Sequence, residues 1–269
     1  MTLVIVVFGW VMPAAAQDQS SRLKGLAGEN DALVWQAVGR LDAQGRGFCT
    51  ATLITPELVL TAAHCVYRRG TTQMLALDAL TFRAGLRNGS VAAERKVAQI
   101  EAHPGFNPAT PLDASNVKHD VALLRLTQPI PTSALDPFIL HDRGLQRGPV
   151  SVVSYGQGRE DLPSRQPVCN VLGARDEVLF MDCDVTFGSS GAPVFTHRNG
   201  RGQIVSLISG AGQYEGQRIT YEMQLPQRVA ELKQQMRANR RGPIANARRI
   251  SVGDTTQKGG AKFVRPGGS

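Results

Sequence analysis

The sequence predicts an all-β protein, a barrel or a sandwich. Short apolar runs recur between turn signals, the pattern of such strands. Twenty-eight glycines and fifteen prolines supply frequent bends. Only one stretch, Pro226 to Met236, has convincing helical spacing: Val229, Leu232 and Met236 share a side, and Pro226 suits a first turn. Apolar residues make up 42% and charged residues 19%, which fits a packed core rather than a disordered chain. A length of 269 residues allows one large or two small domains.

The elements follow in order. Leu3 to Val11 is apolar and leads to Pro13 and Ala14-Ala15-Ala16. This reads as a secretory h-region with cleavage after Ala16, so residues 1–16 are expected to be a signal peptide. The run is too short to span a bilayer. Residues 17–30 are polar and read as a loose mature N-terminus. Leu33 to Leu41 tends towards a strand, with Trp35 as a core residue. Further strands are expected at Phe48 to Ile54, Leu58 to Thr61, Thr81 to Gly85, Glu94 to Glu101 and Val121 to Leu126. Gln128 to Gln146 has little periodicity and reads as a connector between two halves. Strands resume at Val150 to Tyr155, Val168 to Leu172, Val178 to Asp182, Ala192 to Phe195, Gln203 to Ser209 and Arg218 to Gln224.

Four cysteines in an exported chain favour two disulfides. Cys49 and Cys65 flank a strand and turn, and Cys169 and Cys183 form a similarly spaced second pair. No Cys-x-x-Cys occurs, which argues against a zinc site, and no metal is expected. The net charge is +8, but +7 of it lies between Arg237 and Ser269, which leaves a nearly neutral body. Residues 240–269 therefore read as a basic disordered tail that contributes no catalytic residue. Such a tail would be drawn to anionic surfaces and would bind nucleic acid only non-specifically.

Phe187 to Phe195 reads Phe-Gly-Ser-Ser-Gly-Ala-Pro-Val-Phe. Glycines on both sides of a serine allow a sharp bend that aims successive N–H groups at one point, as an oxyanion hole requires. Ser190 is the expected nucleophile, with the N–H groups of Gly188 and Ser190 as the hole. Ser189 is the rival, but only Ser190 has a glycine two residues earlier. A serine needs a base, and the base needs an orienting group. His64 ends an apolar strand beside Cys65. Asp120 directly precedes the run Val121-Ala122-Leu123-Leu124 and could accept an imidazole N–H. His103, His119, His141 and His197 lack such a context and are expected at the surface or in loops.

Thr61-Ala62-Ala63-His64-Cys65, His119-Asp120-Val121-Ala122-Leu123-Leu124 and Gly188-Ser189-Ser190-Gly191-Ala192-Pro193 resemble three signatures of the trypsin-like (chymotrypsin-fold) serine proteases. Trp35-Gln36-Ala37-Val38 and Phe48-Cys49 resemble the strands before the histidine, and the likeness runs from Leu33 to Gln235. It implies an all-β fold of two six-stranded antiparallel β-barrels with a C-terminal helix. Residues 17–135 would form the first barrel, 136–225 the second, and 226–239 the helix. The resemblance carries His64, Asp120 and Ser190 over as a catalytic triad and Cys49–Cys65 as the histidine-loop disulfide. It implies a secreted or periplasmic serine endopeptidase acting on proteins or peptides, without cofactor and expected as a monomer. The alternative is an inactive protease-fold binding protein.

There are departures. Animal members usually carry an Asp before the serine, paired with a new N-terminal ammonium after activation. Here Ser189 stands there, and no activation-like site precedes Trp35. In this the chain resembles the bacterial branch. The family's specificity pocket lies beside the segment before the serine and the strand after it. Asp184, six residues before Ser190, is the expected floor, which would favour Arg or Lys substrates. Thr186, Ser206 and Ile208 are the other expected pocket residues. Ile208 would narrow the mouth, whereas a register slip that puts Gly210 there would reopen it.

Overall fold

The computed structural model describes residues 20–44, 47–197 and 201–240. The expected cleavage site and all of the basic tail beyond Arg240 lie outside them. The described chain starts with β1 (Lys24–Gly25) and a one-turn helix, α1 (Glu29–Leu33). Six strands then close the first barrel: β2 (Val38–Ala43), β3 (Gly47–Thr55), β4 (Leu58–Thr61), β5 (Leu80–Ala84), β6 (Ala93–Ala102) and β7 (Ala122–Leu126), in the order β2-β3-β4-β7-β6-β5. Leu41, Leu53, Leu60, Phe82 and Leu124 fill its interior and are fully buried. A second short helix, α2 (Ala114–Val117), leads into β7.

The second barrel is built from β8 (Gly148–Gly156), β9 (Arg159–Arg175), β10 (Val178–Met181), β11 (Pro193–Thr196), β12 (Gln203–Tyr214) and β13 (Gln217–Met223). The order β9-β10-β13-β12-β11-β8 closes because β8 also pairs with β9. All the pairings are antiparallel. The two six-stranded barrels and the C-terminal helix expected from the sequence are thus present. That helix, α3 (Leu225–Arg240), buries Val229, Leu232 and Met236. It is pinned to β6 by Gln235 Nε2 donating to Glu101 Oε2 (3.0 Å) and Asn239 Nδ2 donating to Glu101 Oε1 (2.9 Å).

Two expectations need correction. The segment read as a loose N-terminus is docked, and on the second barrel rather than the first. Lys24 and Gly25 pair with Arg165 and Ser164 of β9, and Ser21 exchanges hydrogen bonds with Val168. Backbone donors and acceptors along the β9 edge give the polar segment partners that hydropathy cannot show. The second correction is Leu33 to Leu41, which begins as helix and turn before β2. Trp35 is only half-buried and packs between the barrels, its ring 5.7 Å from Phe138 and 5.1 Å from Phe195. The Arg165 guanidinium lies 4.9 Å from the same ring, a cation–π contact.

Candidate active site

β4 delivers the chain to a single 3-10 turn, Ala63–Val66, that carries His64. The neighbouring Cys65 is bonded to Cys49 on β3, so the turn is tied covalently to the barrel wall. Cys169 and Cys183 form the second disulfide, between β9 and the segment after β10. His64, Cys49 and Cys65 place ligand-type atoms within 4.8 Å of one another, but both sulfurs are consumed by the disulfide, so no thiolate is on offer.

Asp120 is wholly buried at the entry to β7. Its Oδ1 accepts the backbone N–H of His64 at 2.8 Å, and its Oδ2 lies 2.7 Å from His64 Nδ1. Ser209 Oγ donates to the same Oδ2. A carboxylate can only accept, so Nδ1 carries the imidazole proton and Nε2 is left as a base. Three donors surround an acid that would otherwise be costly to bury.

The loop from Thr186 to Ala192 brings Ser190 to the same place. Gly188 and Gly191 take left-handed backbone angles, φ +92° and +79°. A Cβ on Gly188 would lie 2.2 Å from the Phe48 ring, and one on Gly191 would lie 2.3 Å from both Thr50 O and Thr61 Oγ1. Only glycine satisfies both demands. Thr50 on β3 clamps the loop from the other barrel: its Oγ1 donates to Gly188 O (2.8 Å) and its N–H to Ser190 O (2.9 Å). The N–H of Ser189 is taken by Thr186 O (2.9 Å) and that of Gly191 by Ile208 O (2.7 Å). Among the described residues, the N–H groups of Gly188 and Ser190 have no acceptor. Ser189 itself is fully buried behind the loop, where its Oγ bonds Arg159 Nη2 and Tyr155 O.

Two grooves meet at this point, of about 370 and about 380 Å3. His64 and Ser190 line both. A wider one, of about 560 Å3, lies between the Thr55–Leu58 turn and α3 and holds none of these residues.

The expected pocket residues divide. Thr186 and Ile208 line the second groove. Asp184 does not: it is exposed and outside the lining residues. Its backbone N–H donates to Gln166 Oε1 (2.7 Å). Ser206 is buried and donates to Met223 O, facing the barrel rather than the groove. A bulge between Ile208 and Gly210 shifts the register, so Ile208, Ser209, Gly210 and Ala211 all reach the groove. Sequence reading missed Ser209, Arg69, Arg159 and Arg218. Only Ser209 left a trace, as a polar residue ending an apolar run.

The chain matches the Trypsin family model over residues 27–234, and it belongs to that family. It is 32% identical over 152 residues to serine protease SP24D of Anopheles gambiae, covering 55% of this chain and 51% of that protein. It is 30% identical over 152 residues to kallikrein-15 of Saguinus oedipus, covering 56% and 54%. A 91-residue stretch, 32% of this chain and 14% of the relative, is 40% identical to modular serine protease of Drosophila melanogaster. The chain thus spans about half or less of these relatives' length. Among solved structures, a Glu endopeptidase in complex with MPD superposes with a TM-score of 0.67 at 15% identity, covering 83% of this chain and all of that one. At that identity the likeness shows the fold alone.

Proposed function

We propose that this chain is a secreted serine endopeptidase. Ser190 attacks the scissile carbonyl, and His64 Nε2 takes the proton and returns it to the leaving amine. Asp120 holds the imidazole in one tautomer and stabilises the imidazolium. The tetrahedral oxyanion sits against the N–H groups of Gly188 and Ser190. An acyl-enzyme forms, and water activated by His64 releases it. No metal or cofactor takes part in this chemistry. The observation that carries the reading is the convergence at one groove junction of Ser190, of His64 fixed by Asp120, and of two unclaimed N–H donors.

Two disulfides support an oxidising compartment, outside the cell or in the periplasm, and with it a signal peptide at residues 1–16. The bacterial-branch reading rests on Ser189, whereas the relatives named above are insect and mammalian. Residues beyond Arg240 are read as a removable basic tether to anionic surfaces.

A fluorophosphonate probe should label the purified protein, and Ser190→Ala should abolish labelling. Label persisting on that variant would remove Ser190 from its role. Target binding by a wild type that never labels would favour the inactive binding protein instead.

A further inference from the structure

The groove on the β12 side of Ser190 holds no acid. Its charged lining consists of Arg69 and Arg218, besides His64. Arg218 stands on β13, and its Nη2 donates to the carbonyl of Val185, which also lines the groove. That bond uses one of the guanidinium's five N–H donors and leaves the others for a ligand. Among the described residues, neither Arg218 nor Arg69 has a carboxylate partner. Thr186 adds a hydroxyl to the same wall.

Asp184 and Glu222 lie nearby, but neither lines this groove, and Glu160 lines the adjoining one. Asp184 points to solvent outside the groove. Glu222 lies opposite Ile208 in the strand register, fully buried with both carboxyl oxygens unpartnered. The neighbouring Thr220 hydroxyl donates to Met181 O (3.3 Å). Burial raises the Glu222 carboxyl well above the usual range. A cationic groove with low-dielectric walls concentrates anions and opposes cations.

We infer that the site selects peptides carrying Asp or Glu on the N-terminal side of the cleaved bond, with Arg218 as the specificity-determining residue. This rests on the protease reading and reverses the basic preference that Asp184 would have given. Arg218 supplies planar paired donors to the substrate carboxylate, and Arg69 adds charge at the rim. A substrate Arg or Lys would meet two like charges with no carboxylate to receive it.

The test uses matched peptides that differ only at that residue, with fluorophosphonate labelling in parallel. Arg218 and Arg69 are both exposed, so Glu and Asp should exceed Gln and Asn in kcat/KM by roughly 10-fold, the scale of a charge-assisted hydrogen bond. Arg218→Glu should erase that ratio and improve Arg and Lys peptides, while Arg218→Lys should keep part of it. An enzyme that labels and cleaves but treats Glu and Gln alike, or prefers Arg and Lys, overturns the groove inference and leaves the protease reading intact. A protein that neither labels nor cleaves overturns the protease reading. The groove is then read by calorimetry on Ser190→Ala, where equal affinity for Glu and Gln peptides overturns the inference.

Discussion

The guanidinium of Arg159 donates to the hydroxyl of Ser189 across 3.1 Å, directly behind the Gly188–Ser190 turn. It also donates to the carbonyl and hydroxyl of Ser154. Ser189 returns the contact to β8 by donating to Tyr155 O (3.1 Å) and accepts the Thr186 N–H (3.2 Å). Animal members of the family place a carboxylate here and neutralise it with an N-terminal ammonium. In this chain a neutral hydroxyl is held by a cation already built into β9. Burial draws Arg159 below its usual range, opposed by Asp184 and Glu160.

Removing Arg159 should loosen the turn that aims the two N–H donors. Losing hydrogen bonds from a charged donor costs about 1.5–3 kcal/mol. Arg159→Ala is expected to lower kcat by ~10- to 100-fold with a smaller change in KM, and Arg159→Lys should restore part of it. Steady-state kinetics on a small peptide substrate checks this. A KM-only effect would mean that Arg159 does not position the turn.

Asp120→Asn leaves the shape intact but offers an amide where Nδ1–H needs an acceptor. kcat is expected to fall by about 10³- to 10⁴-fold with little change in thermal midpoint. Ser209→Ala removes only one of three donors, so its loss should be ~5- to 10-fold, in keeping with about 1 kcal/mol for one hydrogen bond. Equal effects from the two variants would contradict the hierarchy drawn from the geometry.

Gly191→Ala and Gly158→Ala separate two costs. Both glycines have positive φ, +79° and +78°, but a Cβ at Gly158 meets nothing within 4 Å. Gly158→Ala should cost about 1–2 kcal/mol for the left-handed backbone alone. Gly191→Ala adds an overlap with Thr50 and Thr61 and should cost about 1–3 kcal/mol more. Urea midpoints compare them directly, and similar values would show that the loop can move aside.

Reduction of the Cys49–Cys65 bond, or its replacement by two alanines, frees a loop whose ends are 16 residues apart. The expected loss is about 3 kcal/mol, read as a lower midpoint in denaturant. Because His64 adjoins Cys65, activity should fail at lower denaturant than the global transition.

His103 lies in the loop after β6, as expected, but is buried, and its Nε2 lies 3.0 Å from Glu231 on α3. The His119 ring stacks on it at 4.7 Å. Burial first, and then the neighbouring His103, lowers the His119 pKa. The unfolded chain therefore binds the proton more readily, so this contribution to stability is present above about pH 6.5 and is lost as pH falls below it. Denaturation midpoints at pH 7.5 and 5 should differ less in His119→Gln than in the wild type. Equal differences would remove His119 from the pH response.

Most of the fold was legible because its signals are local. Runs such as Leu58–Thr61 and Ala122–Leu126 announce buried strands, and Val229, Leu232 and Met236 announce the helix face. Gly188 and Gly191 could be read because a sharp turn has few chemical solutions. The order His64, Asp120, Ser190 pointed to a site because each sits in a recognisable local setting. What only the tertiary structure decided depends on partners distant in sequence. Ser209 meets Asp120 where a bulge after Ile208 resets the strand, and no local pattern encodes a bulge. Lys24 and Gly25 join β9 through backbone hydrogen bonds, which side-chain composition does not register. Asp184 is exposed outside the groove, and Arg218 lines it while bonding the carbonyl of Val185. The surroundings of a long side chain are set by whichever distant groups the fold brings to it, so which charges line the groove could not be read from local sequence.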